Sequence, residues 1–219
     1  MRYLMAIPTG AAILLYVLIL DRLFRDHLRA YSILFINLLV LLFTVVIDSA
    51  YFFGQEAVGF SETARTVYFI NDLLRQAMVY ILVISLILRA VEGSARFRWV
   101  GRWLVLAAFL LAAGSFLVHW DTDRFVAMMT NVIRNVSLVA MLMNLLLWVL
   151  LVRKRTSDRT LLLVTTGLGL QMAGEAMGQS LRLINAETAQ WGNVVLILSH
   201  LLCLTVWYAA FKRRPAPRS

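Results

Sequence analysis

Seven long apolar segments, separated by short polar connections, constrain this chain more than any other feature of its sequence. A helix needs about 20 mostly apolar residues to cross the hydrocarbon core of a bilayer. Helices and closed barrels are the structures that satisfy their backbone hydrogen bonds there, and apolar runs of this length favour helices. We therefore predict an all-α integral membrane protein, a seven-transmembrane-helix bundle that forms a single transmembrane domain over residues 1–219. The predicted spans are 4–24, 31–53, 66–90, 99–119, 126–152, 160–183 and 193–211.

Composition agrees with a membrane protein and excludes several other classes. Of the 219 residues 61% are hydrophobic and 15% are charged, whereas about a quarter of a soluble domain is charged. The net charge of +9 is interpreted as arginines at helix ends that meet lipid headgroups. The expected partner is thus the lipid bilayer and not nucleic acid. The spans use up the chain, so we expect no soluble catalytic or DNA-binding domain.

The distribution of basic residues predicts the orientation. Fifteen of the 21 Lys and Arg residues lie in the first, third and fifth connections and in the C-terminal tail, and these all fall on one side of the membrane. The positive-inside rule assigns that side to the cytoplasm. An odd number of spans then places the N-terminus outside and the C-terminus in the cytoplasm. Lysine is scarce beside arginine, which fits a bacterial cytoplasmic (inner) membrane.

Polar and ionisable residues recur inside five of the spans, and most of them lie in the extracytoplasmic half. Such residues are costly in a membrane and usually face the bundle interior or a water-filled cavity. We therefore predict a polar pocket there, formed by spans two, three, five, six and seven, with spans one and four packed round the outside. The predicted ligand-binding residues are Asp48, Asp72, Arg75, Asn131, Arg134, Asn135, Gln171, Glu175, Gln179 and His200.

The charges of this pocket allow two interpretations. Arg75, Arg134 and Arg182 balance Asp48, Asp72 and Glu175, as a closed ionic network would require. The alternative is a hydrated pocket for a small polar or zwitterionic ligand that enters from outside. The abundance of amides beyond the needs of three ion pairs favours the pocket. Glu175 is the central candidate because it has no cationic partner one turn away on its own helix.

Glycines form a stripe beside the polar face of span six. Gly167, Gly174 and Gly178 share this stripe, and the last two have the spacing that lets another helix backbone approach closely. They are predicted to be helix-packing residues, which places span six inside the bundle.

Several activities lack the residues that they require. Retinal proteins need a lysine within the last helix, but Lys154 and Lys212 both lie at the cytoplasmic edge. The histidines His27, His119 and His200 are too far apart in depth to hold one zinc ion, and no hydrolase or phosphate-loop motif is present. We therefore expect no cofactor, no metal and no enzymatic activity.

The leading functional hypothesis is a receptor or sensor that binds a small polar ligand and signals to a cytoplasmic or membrane protein partner. A small transporter or channel that uses the same pocket is one alternative. A non-catalytic accessory subunit of a membrane complex is another. The thin polar lining of the inner half, mainly Asn37 and Asn144, argues against a transport route.

Overall fold

The structure is a computed structural model that describes residues 2–54, 62–91, 125–153 and 158–212, with isolated positions between 99 and 114. The predicted fourth span, 99–119, lies outside the continuously described residues. Within the four continuous ranges the chain forms six α-helices and no strand. They are α1 (Arg2–Arg22), α2 (Ser32–Gly54), α3 (Glu62–Val91), α4 (Phe125–Arg153), α5 (Arg159–Arg182) and α6 (Ala186–Lys212). A short π-helical segment, Leu23–His27, continues α1.

Five of these helices are long and apolar enough to cross a membrane. The qualifying segments are Ile7–His27, Ser32–Ala50, Ile70–Ala90, Asn131–Arg153 and Thr188–Lys212. The described part of the chain is therefore compatible with an integral membrane protein. Helix α5 has 24 residues, enough for about 36 Å at 1.5 Å per residue. It is less apolar than the others because glycines, glutamines and Glu175 interrupt its leucines.

The six helices form a closed ring. Each helix packs against the next one along the chain, and α1 also packs against α6, which closes the ring. Helices α1 and α6 are parallel, since Tyr16 contacts His200 midway along them and Arg22 donates to the carbonyl oxygen of Lys212 at their ends. Helices α5 and α6 are antiparallel, because Arg182 contacts Asn193 at the turn between them. The "N-terminal end" of the ring is the end where α1, α3, α4 and α6 begin, and the "C-terminal end" is the opposite one.

Large apolar side chains fill the ring from its middle to the C-terminal end. Leu38, Leu147 and Leu168 have no exposed surface and come from α2, α4 and α5. Trp207 of α6 is also fully buried, and its indole Nε1 donates to the carbonyl oxygen of Val164 at 2.9 Å. This half of the ring is a packed core that links all six helices.

Helix α1 belongs to that core. Tyr16 and Ile19 of α1 and Leu23 of the π-helical segment are fully buried in it, so the expectation that span one packs round the outside was wrong. The physical reason is that an apolar stripe on a membrane helix looks the same whether it faces lipid or protein. Composition alone could not distinguish the two.

Tyr31, in the link between α1 and α2, connects several chain segments at the C-terminal end. Its ring packs against His27 and Phe211, and the Arg89 guanidinium lies 4.3 Å from the ring centre. Arg89 also donates a hydrogen bond to the backbone carbonyl of Ala30. Burial and the nearby Asp158 carboxylate raise the pKa of Tyr31 to about 12.

This environment predicts a loss of stability at alkaline pH that depends on Tyr31. The pKa of Tyr31 in the folded protein exceeds the ordinary value of 10.0, so folding favours the neutral phenol. The resulting stability is complete below pH 10 and is lost as the pH rises towards 12. Tyr31→Phe should match the wild type in thermal melts at pH 7 and lose less stability between pH 10 and 12. Parallel loss in both proteins would contradict the assignment.

Candidate functional site

The side chains of Gln76, Ser137 and Glu175 come from three different helices and meet inside the ring. With its amide nitrogen turned towards Glu175, Gln76 of α3 donates to Oε2 at 2.8 Å and accepts a hydrogen bond from the Ser137 hydroxyl at 2.8 Å. The Ser137 hydroxyl of α4 lies 3.5 Å from the same Glu175 oxygen. The opposite amide orientation would place the Gln76 oxygen against the carboxylate, which is electrostatically unfavourable. The half-buried Glu175 of α5 is thus held by neutral groups.

A set of charged side chains lies beside this trio. Arg75 of α3 donates to the Asp72 carboxylate at 2.5 Å, one turn away on the same helix. The Arg75 guanidinium is also close enough to Asp48, Glu175 and His200 to interact with each electrostatically. Arg75 therefore interacts with acidic groups on three helices: α2, α3 and α5.

Hydrogen bonds extend the polar network to α1, α2 and α6. Asn71 donates from Nδ2 to the Asp48 carboxylate at 2.9 Å and thereby links α3 to α2. The Tyr16 hydroxyl lies 2.7 Å from His200 Nε2 and links α1 to α6. We define the "polar cluster" by Tyr16, Asp48, Asn71, Asp72, Arg75, Gln76, Ser137, Glu175 and His200.

Gln179 takes part in a separate contact at the N-terminal end. Arg182 donates to the side-chain oxygen of Asn193 at 2.5 and 2.9 Å and to that of Gln179 at 3.4 Å. This group joins the end of α5 to the start of α6. It closes the turn between them and lies one turn beyond Glu175.

Four other predicted site residues lie on α4 and α5. The Arg134 guanidinium lies 3.3 and 3.4 Å from the side-chain oxygen of the adjacent Asn135, which are weak contacts, and Asn131 is half-buried on the same face of α4. Gln171 is 2% exposed, and neither of its amide atoms has a hydrogen-bond partner among the described residues. The structure thus brings together at least Asp48, Asp72, Arg75, Glu175 and His200 of the predicted residues.

The glycines of α5 face α6. A β-carbon at Gly167 would lie 2.7 Å from the Trp207 indole nitrogen, and one at Gly174 would lie 2.1 Å from the Ser199 side chain. At Gly178 it would lie 2.9 Å from the backbone oxygen of Gly192. The two helices are therefore in backbone contact along this stripe, as small residues allow.

Four members of the polar cluster were not among the predicted ligand-binding residues. Asn71 and Gln76 are amides directly beside the predicted Asp72 and Arg75, and the other two are Tyr16 and Ser137. Tyr16 stands alone in an apolar helix, and its only signal was a phenolic hydroxyl that needs a partner when buried. Ser137 carried no signal, because hydroxyls in helices commonly bond to their own backbone. Thr166 and Thr205 do so here, each to the carbonyl four residues earlier.

No family model, no curated protein and no solved structure matches this chain. Among the described residues there is also no group of three or more His, Cys, Asp and Glu side chains that could hold a metal ion. The site is therefore interpreted from its own chemistry.

Proposed function

We propose that the chain is a seven-helix membrane protein of receptor or sensor type, with its N-terminus outside and its C-terminus in the cytoplasm. The N-terminal half of the ring would be the extracytoplasmic half. It would bind a small polar or zwitterionic ligand at the polar cluster. The five apolar helices support the membrane setting, and the distribution of basic residues supports the orientation.

The observation that carries the proposal is the environment of Glu175. Its described hydrogen-bonding neighbours, Gln76 and Ser137, are neutral, while the nearby Arg75 is bonded to Asp72. A half-buried carboxylate in a membrane helix requires a compensating positive charge or a proton. Arg75 and Arg182 are near enough to Glu175 to supply part of that charge electrostatically. The ammonium group of a ligand would add a direct ion pair with Glu175, and a carboxylate on the same ligand would approach Arg75.

The distribution of polar and apolar side chains along the ring favours sensing over transport. The polar cluster lies in the N-terminal half, where Arg134, Asn135 and Glu175 are only half-buried. The C-terminal half is packed with fully buried side chains, including Trp207 and Leu147. A ligand that enters from the N-terminal end would therefore reach the cluster but would not pass the closely packed apolar side chains beyond it, which we call the "apolar floor".

A bound ligand could change the packing of α5 against α6. Glu175 lies on α5 next to Gly174, whose missing side chain leaves room for Ser199 of α6. His200 follows Ser199 directly and bonds to Tyr16 of α1. Movement of Glu175 towards a ligand would thus shift α5 against α6 and, through His200 and Tyr16, would also displace α1. The ends of α1 and α6 meet at the basic C-terminal end of the ring.

The proposal is tested by native mass spectrometry of the protein gently extracted from its own membrane. We expect a reproducible non-lipid adduct in the wild type that is lost in Glu175→Ala. Asp21→Asn is the control, since Asp21 is an exposed carboxylate paired with Arg25 and lies far from the cluster. A bare monomer would contradict ligand binding and favour a closed ionic network. A constant additional protein mass would favour an accessory subunit.

One observation supports a transporter as the second candidate. Asn37 and Gln171 are buried at 0% and 2% exposure, and their amide atoms have no partners among the described residues. Water at these amides would extend the polar region towards the C-terminal end. Uptake of the identified adduct into proteoliposomes, reduced by Asn37→Leu, would favour transport over sensing.

A further inference from the structure

A second candidate site lies at the opposite end of the ring from the polar cluster. An open cleft of about 540 Å³ is formed by α2, α3 and the link that precedes α2. Its volume is within the roughly 300–1,000 Å³ typical of small-molecule sites. The described residues that line it include Arg29, Ile33, Ile81, Ile84, Ser85, Leu88 and Arg89.

The wall of this cleft is apolar and faces outward from the ring. Ile33, Ile81 and Leu88 are 37%, 48% and 45% exposed, and all three belong to segments that are apolar enough to cross a membrane. In a bilayer this wall would face the acyl chains of lipids.

The mouth of the cleft is cationic. Arg29 is exposed in the link before α2, and Arg89 lies near the end of α3. Arg89 is held in position by its hydrogen bond to the Ala30 carbonyl and by the ring of Tyr31. A guanidinium has five N–H donors, so it can hold this position and still bind an anion. None of the described residues that line the cleft is acidic.

We propose that this cleft binds an anionic phospholipid. The phosphate would lie between the Arg29 and Arg89 guanidiniums, with the Ser85 hydroxyl as a further donor, and an acyl chain would follow the isoleucine wall. Basic pockets between membrane helices bind anionic headgroups for this reason, and arginine suits phosphate because its N–H groups can bond two oxygens at once. The ionic and the apolar parts of the cleft together match a lipid better than a free phosphate ion. This site does not depend on the function proposed for the polar cluster.

The test compares retention of two lipids with identical acyl chains, phosphatidylglycerol and phosphatidylcholine, by native mass spectrometry of the full-length protein. We expect the wild type to retain phosphatidylglycerol several-fold more than phosphatidylcholine. Arg29→Gln should reduce that preference at least threefold. Because Arg29 is exposed, this substitution does not disturb the packed core. Arg25→Gln is the matched control, because Arg25 belongs to the same basic segment but pairs with Asp21 at 2.8 Å and does not line the cleft.

A second variant tests the apolar half of the site. Ile84→Trp should fill the cleft, leave both arginines in place and abolish retention of phosphatidylglycerol. Equal lipid preference in the wild type, Arg29→Gln and Ile84→Trp would overturn the proposal. So would displacement of the lipid by millimolar inorganic phosphate, since that would identify a site for the free ion.

Discussion

Gly178→Ala should lower the free energy of unfolding, although alanine is the better helix former. Helix propensity alone would favour alanine by about 1 kcal/mol. A β-carbon at Gly178, however, would lie 2.9 Å from the Gly192 backbone oxygen and 2.5 Å from a side-chain carbon of Leu196. The leucine can move, but the backbone oxygen cannot without separating α5 from α6. Overpacking of this kind costs about 1–3 kcal/mol, and we expect the upper part of that range.

The chain provides a matched control for this substitution. Gly10 also lies in a helix, but a β-carbon there would have no atom within 4 Å. Gly10→Ala should therefore be neutral or stabilising by up to about 1 kcal/mol. The two variants are compared by thermal unfolding in detergent, followed by size-exclusion chromatography. A difference of 1 kcal/mol corresponds to roughly 2–4 °C for a chain of this size. Equal melting temperatures would show that α5 and α6 are not in backbone contact at Gly178.

Hydropathy predicted where the helices lie more accurately than where they begin. Helix α3 starts at Glu62 rather than at 66, and α6 starts at Ala186 rather than at 193. The apolar length of a segment reports the hydrocarbon thickness that it can cross. A helix continues into polar sequence as long as its backbone groups find partners. The turn before α6 supplies such partners, since the Asn185 side chain accepts from the Thr188 backbone and Thr188 Oγ1 donates to the Leu181 carbonyl.

Periodicity predicted which residues of one helix share a face, but not how the helices are rotated against one another. The polar stripe of Gln171, Glu175 and Gln179 follows from a spacing of four residues. In the structure its three members nevertheless have different environments. Glu175 contacts α3 and α4, Gln179 contacts Arg182, and Gln171 has no described partner. These differences depend on packing between residues far apart in sequence, and a single sequence does not contain that information.

The position of Tyr16 illustrates the same limit. The apolar residues of α1 predicted a membrane helix, and Ile7–His27 is long and apolar enough for one. The hydrogen bond between Tyr16 and His200 joins residues 184 positions apart in the chain. It requires that the first and last helices be neighbours, and only closure of the ring makes them so. The Tyr16 hydroxyl thereby extends the polar cluster to a helix that had been excluded from it.

Trp207→Ala should be among the most destabilising substitutions in the described part of the chain. The indole is fully buried, packs against Gly167 and donates a hydrogen bond to the Val164 carbonyl. Its removal leaves a cavity and breaks this additional hydrogen bond, and truncation of a buried tryptophan to alanine typically costs 3–5 kcal/mol. Trp191→Ala is the matched control on the same helix, because Trp191 is 64% exposed and its loss should cost less than 1 kcal/mol.

The same pair of variants tests the role of the apolar floor below the polar cluster. If Trp207 is part of the packing that closes the C-terminal half of the ring, Trp207→Ala should lower the melting temperature by about 6–20 °C, which follows from 2–4 °C per kcal/mol. Trp207→Phe should lie between this variant and the wild type, since phenylalanine restores much of the volume but not the N–H donor. If Trp207→Ala and Trp191→Ala melt together, the tryptophan does not lie in a packed core. The ring would then be open beneath Glu175, and the case for a sensor over a transporter would lose its main support.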